Sequence, residues 1–177
     1  MVDEDIKKKT VLLLLGDEDR AIFKEILSPY YEIAVPEKND LPEEGFDLCI
    51  LDYPNFKRHE RAISKLKQSA GPVIVPFVLV MDRGELSKVS PDGPYDEVIL
   101  RPVERTEALK RVSALLKTKE LSLDSERFFN LIPDAISVLD SEGNILRYNR
   151  ALQRFSGTDE DLRGRKCYEV MCKDEFL

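Results

Sequence analysis

Along the first two thirds of the chain, short apolar runs closed by turn residues or acids alternate with amphipathic stretches. Thr10 leads into five consecutive apolar residues, Val11 to Leu15, and Gly16-Asp17-Glu18-Asp19 ends the run. A run this short and this uniformly apolar suits a strand buried on both faces of a parallel sheet. Comparable runs lie at Tyr30–Val35, Phe46–Leu51, Val73–Met81 and Glu97–Leu100. Between them, Arg20–Leu27 puts Phe23, Ile26 and Leu27 on one helical face, with Asp17 or Asp19 as its cap and Pro29 as its stop. Phe56–Ser69 carries a stripe of Ala62, Ile63 and Leu66, and Glu104–Lys119 turns Leu109, Val112, Leu115 and Leu116 inward. The proline-bearing stretch 36–45 has room for one helical turn at most. Gly84, Pro91, Gly93 and Pro94 leave only a short helix near Glu85–Val89. Strand–helix alternation of this kind predicts an α/β fold: a doubly wound, five-stranded parallel sheet with helices on both faces.

Composition narrows the function classes. With 42% hydrophobic residues the chain has enough apolar side chains to form a core. Its 27 Lys and Arg against 34 Asp and Glu give a net charge of −7, which argues against nucleic acid as a partner. No apolar run approaches the roughly 18 residues of a membrane span, so no membrane association is expected. The first residues, Met1-Val2-Asp3-Glu4-Asp5, are acidic where a signal peptide is basic and then apolar. Three cysteines form no disulfide framework, and a cytoplasmic protein is expected. A single histidine excludes a histidine-rich metal site.

In an open parallel sheet the ligand site lies beyond the carboxyl ends of the strands. The residues predicted there are Gly16-Asp17-Glu18, Asp52, Met81-Asp82 and Arg101. Asp17 and Asp52 end neighbouring strands, and two carboxylates at one rim repel unless a cation lies between them. Oxygen ligands favour Mg²⁺, completed by water and a backbone carbonyl such as that of Pro54. A carboxylate there can act as a nucleophile toward a phosphoryl group, with Arg101 neutralising the transferred charge. The bland alternative makes Asp17 and Asp52 solvated rim charges that simply pair with Arg101.

These residues resemble the receiver domain of response regulators. Phe46-Asp47-Leu48-Cys49-Ile50-Leu51-Asp52 is similar to the strand that ends in the phospho-accepting aspartate, Arg101-Pro102 to the Lys-Pro pair, and Asp17-Glu18 to the end of the acidic cluster. The resemblance covers roughly residues 9–118. It implies a flavodoxin-like strand order 2-1-3-4-5, phosphoryl transfer to Asp52, Mg²⁺ held by Asp17 and Asp52, and a histidine kinase or phosphotransfer protein as partner. The chain departs from the family at Gly16, where a first acid stands, at Met81, where a hydroxyl stands, at Val98, where an aromatic stands, and at Arg101, where a lysine stands. Arginine keeps the charge but changes reach and geometry. The departures support a second reading, a degenerate receiver serving as a dimerisation or protein-interaction module.

From Leu109, a seven-residue spacing runs through Leu116 to Leu123 and suggests a helix that continues past the sheet. After Asp124 the pattern changes. A short helix, Glu126–Ile132, closes at Pro133-Asp134. Two strands, Ala135–Asp140 and Asn144–Asn149, flank Ser141-Glu142-Gly143 as a hairpin. A helix at Ala151–Phe155 stops at Gly157, and a turn at Glu160–Leu162 stops at Gly164. Phe128 through Ala135, Asp140 through Ile145, Tyr148 through Ala151, Phe155-Ser156-Gly157 and Asp161 through Arg165 resemble, in order, the N-terminal half of a PAS sensor domain. That resemblance implies a truncated α+β segment with no bound haem or flavin.

The expected division is a charged tail (1–9), a receiver-like domain (10–118), a helical linker (119–125) and an incomplete PAS portion (126–177). The expected function is two-component signal transduction, with a homodimer as the assembly. Other signals are discounted. His59-Glu60 lacks the proline of a kinase phosphorylation box, Cys167 and Cys172 read as unrelated thiols, and Cys49 reads as a core residue. Gly16 alone makes no phosphate-binding loop, which leaves a nucleotide-binding domain unsupported.

Overall fold

The computed structural model describes residues 8–171. Five parallel strands form one sheet: β1 (Thr10–Leu14), β2 (Glu32–Ala34), β3 (Leu48–Asp52), β4 (Phe77–Met81) and β5 (Glu97–Leu100). Their order is β2-β1-β3-β4-β5, as expected. The register pairs Leu13 with Ile50, Leu51 with Leu79, and Val80 with Ile99. Strand side chains alternate between faces with a period of two. Val11, Leu13, Leu48, Ile50, Val78, Val80 and Ile99 therefore share one face, and Leu12, Leu14, Cys49, Leu51, Phe77 and Leu79 share the other.

Each face is covered by helices. On the first lie α1 (Asp17–Leu27), through Phe23, Ile26 and Leu27, and α3 (Arg105–Leu131), through Ala108, Val112 and Leu116. On the second lies α2 (Tyr53–Ser69), through Phe56 and Ile63. Residues 36–45 hold only turns. Arg83–Lys88 is a 3-10 helix in place of a full helix, because Gly84 and the prolines that follow cannot sustain more. The strands run shorter than the apolar runs: the fourth begins at Phe77, since Pro76 has no N–H to give to the ladder.

Two helix readings are corrected. The N-cap of α1 is Gly16, and no side chain caps it; Asp17 and Asp19 fall instead within the first turn, where their charges oppose the helix dipole favourably. The expected helices 104–119 and 126–132 are one helix, α3. Nothing between Arg105 and Leu131 is glycine or proline, so the first true stop is Pro133.

The chain divides into two units after Ser122. In the second, β6 (Ser137–Leu139) and β7 (Ile145–Tyr148) form an antiparallel pair, followed by α4 (Arg150–Ser156) and α5 (Cys167–Met171). The Asp140 carboxylate accepts from the backbone N–H groups of Glu142 and Asn144 and builds the hairpin turn, with Gly143 at φ 79°. Asn149, fully buried, caps α4 by accepting from Leu152 N–H and also accepts from Ile136 N–H. Gly157 closes α4 at φ 66°. The small core contains Ile145, Leu152, Leu162 and Val170. The turn expected at Glu160–Leu162 is irregular backbone, and Cys172 lies outside the described residues.

Candidate functional site

The rim at the carboxyl ends of β1, β3, β4 and β5 encloses a cleft of about 880 Å³ lined by Gly16, Asp17, Asp19, Asp52, Asp82 and Arg101, among others. Asp52 is 8% exposed and is the N-cap of α2. One carboxylate oxygen accepts from the backbone and side-chain amides of Asn55, at 3.0 and 2.9 Å. The other accepts from Gly16 N–H at 2.9 Å. Asn55 also donates to the carbonyl of Leu14, at 3.0 Å, so the cap stitches β1 to the start of α2. Pro54, in the first turn of α2, needs no N–H partner there.

Asp17 lines the same cleft but is turned to solvent. Its side chain is 95% exposed and pairs with Arg20 at 3.0 Å. Arg101 does not pair with Asp17 or Asp52. It donates to both oxygens of Asp19, the closest contact at 2.6 Å, and meets Asp82 at 3.4 Å. The Asp19 side chain is only 12% exposed, so this pair is partly withdrawn from water. The hydrogen bonds from Arg101 to Asp19 raise the guanidinium pKa further above its ordinary value, and Arg101 stays charged at any working pH. Met81, in the place of a hydroxyl, is fully buried and offers no donor.

The receiver resemblance implies a metal held by Asp17 and Asp52, and in the structure each of these side chains has chain partners of its own. Three chain donors occupy Asp52, and Asp17 is turned to solvent and paired with Arg20. Among the described residues no group of three or more His, Cys, Asp or Glu side chains is placed to hold a metal ion. What the rim does instead is hold itself together. Asp52 ties β3 to β1 and α2, while Arg101 ties β5 to α1 and to the residue after β4.

Three expected site residues thus line one cleft, but they are not brought into one constellation. Asp82 lies at the rim where its place after the fourth strand puts it, Asp19 was read only as a candidate helix cap, and Asn55 was not singled out by the sequence. Asn55 had a readable signal: an aspartate ending a strand, then proline two residues on, opens a helix whose third residue it becomes. Asp19 had none, because its partner is 82 residues away.

Comparison with known proteins bears on the fold. The family model described as the PAS fold matches residues 129–175. Among solved structures, the chain is similar to a response regulator receiver modulated diguanylate cyclase from Pelobacter carbinolicus, at 25% identity and TM-score 0.50, over 66% of this chain and 98% of that one. It is similar to an adenylate cyclase from Rhodopirellula baltica at 16% identity and TM-score 0.54, over 71% and 99%. It is also similar to the signal receiver domain of an HD domain-containing protein from Pseudomonas fluorescens Pf-5, at 15% identity and TM-score 0.53, over 70% and 97%. No curated protein matches the sequence. The five-stranded sheet has the flavodoxin-like receiver fold, and a PAS-fold match follows it. No helix among the described residues is long and apolar enough to cross a membrane.

Proposed function

We propose that the chain is a two-component signalling protein whose receiver-like unit works as a protein-interaction module independent of phosphorylation, joined through α3 to a PAS segment. The receiver fold and the PAS match support the signalling role. One observation carries the choice of module: the Asp52 carboxylate is engaged as a helix cap by three donors of its own chain. To accept a phosphoryl group, one Asp52 oxygen becomes the bridging oxygen and its hydrogen bonds, from Gly16 or from Asn55, are weakened, each worth about 0.5–1.5 kcal/mol. Arg101, the group placed to neutralise the added charge, is held by Asp19 and Asp82. The partners of such a module are a histidine kinase or phosphotransfer protein, recognised by surface, or a second copy of the chain.

A second reading has its own support, since Asp52 and Arg101 do line the same cleft. In it, Asp52 attacks the phosphorus of phosphohistidine, the P–N bond breaks, and the acyl phosphate forms on Asp52. Incubation with a small-molecule phosphodonor and Mg²⁺, followed by intact mass measurement, separates the two. We expect no added phosphoryl mass under conditions that fully label an ordinary receiver. An added phosphoryl group that disappears in Asp52→Ala establishes the second reading and overturns the first.

A further inference from the structure

We infer that Lys119 and Asp47 form a latch that holds α3 at the N-terminal edge of the sheet and sets whether the turn over residues 119–122 is docked or free. The inference rests on the reading of the receiver-like unit as a protein-interaction module joined through α3 to a PAS segment.

Apolar anchoring of α3 ends early. Its buried residues are Ala108, Val112 and Leu116, and no residue after Leu116 is buried. Leu121, Phe128 and Leu131, which follow, are well exposed. Beyond that point the helix is tied to the sheet's edge by polar contacts over four residues. The Lys119 ammonium, 13% exposed, donates to Asp47 at 3.1 Å and to the carbonyl of Phe46 at 3.2 Å. Ser122 accepts from Ile74 N–H at 3.0 Å while its hydroxyl donates to the Lys119 carbonyl at 2.7 Å. Glu120 meets Lys9 at 4.0 Å.

Asp47 is the hub of this knot. Its second oxygen accepts from Thr10 N–H at 2.9 Å, and its own N–H donates to the Thr10 carbonyl at 2.8 Å. One carboxylate therefore joins the first residue of β1, the segment entering β3, and α3. Asp47 immediately precedes β3, and Asp52 ends it, so one strand connects the cleft rim to the latch. A helix kept in place by apolar packing over its first half and by a few partly buried polar bonds over the next turn opens locally at the polar part first.

Hydrogen exchange on the full chain tests the latch, with Lys119→Met, Asp47→Asn and Lys119→Arg beside wild type. Asp47→Asn keeps an acceptor for Thr10 but loses the charge facing Lys119, so it guards against a variant that merely fails to fold. The expected result is exchange at least about tenfold faster over residues 119–122 in Lys119→Met and Asp47→Asn, with β1 and β3 unchanged and Lys119→Arg close to wild type. Unchanged protection of 119–122 in both variants overturns the inference. Faster exchange spread evenly over β1, β3 and α3 overturns it as well, because the pair then acts only as a general stabiliser. Labelling of Asp52 by a phosphodonor bears on the earlier reading alone and leaves this result standing.

Discussion

The sheet unit and the hairpin unit are built from similar proportions of apolar residues, yet they bury them very differently. In the sheet, Leu12, Leu13 and Leu14 are all buried although neighbouring residues point to opposite faces, because helices cover both. In the hairpin unit, Ile145 is buried while its strand neighbour Leu146, on the opposite face, stays well exposed, as do Val138 and Leu139. The exposed set extends to Phe128, Leu131, Phe155 and Tyr168. Two strands with one covered face carry little stability of their own. Packing cover, rather than residue type, separates the units.

The comparison can be broken at its strongest point. Phe77 is fully buried and contacts Phe46 edge-on at 6.0 Å between ring centroids. Phe77→Ala is expected to destabilise the sheet unit by about 3–5 kcal/mol in chemical denaturation, read by probes in β1–β5. A loss under about 1 kcal/mol would mean that the doubly covered sheet collapses around a cavity as easily as an open one.

A smaller effect is expected from the buried polar hub of the other unit. The Asn149 amide donates to the carbonyls of Ile132 and Asp134, and its oxygen accepts from Ile136 and Leu152. Asn149→Ala strands those groups and should cost about 1–3 kcal/mol, seen as faster hydrogen exchange over residues 132–156 with the five-stranded sheet unaffected. Equal loss in both units would show that they unfold as one.

The smallest effect concerns charge on the hairpin side. Hydrogen bonds from the Arg163 side chain, chiefly, and backbone pull the Asp161 carboxyl down to about 2, with Tyr148 also donating to it. A depressed carboxyl contributes stability that is present above its unfolded value near 3.8 and is lost as pH falls toward 2. Carboxyl NMR titration should place the Asp161 midpoint near 2, and Arg163→Ala should move it up toward the ordinary carboxylate range. An unmoved midpoint would assign the shift to Tyr148 and the backbone. The group is largely exposed, so its effect on overall stability is slight and falls with salt.

Much of the fold was legible because its signals are local. Val11–Leu15 announces a doubly buried strand, Gly143 and Gly157 mark positions of positive φ, and Pro133 ends α3. The site was half legible. Asp17, Asp52 and Arg101 were placed on the correct rim by strand ends, but their partners were not. Arg101 was expected beside Asp17 or Asp52 and lies against Asp19 and Asp82 instead. The sequence could not show this, since a long guanidinium reaches several carboxylates and the α1 phase decides which one faces it.

By itself the sequence determined the strand–helix alternation, the two-face burial pattern, the hairpin turn and the residues of the rim. Those follow from periodicity and from the steric limits of glycine and proline, which act within a few residues. Only the tertiary structure decided that Asp52 caps a helix, that Arg101 bridges α1 and the end of β4, and that Lys119 reaches Asp47 across 72 residues. Hydrogen bonds between distant segments depend on the final packing of the elements that carry them, and no local rule encodes that.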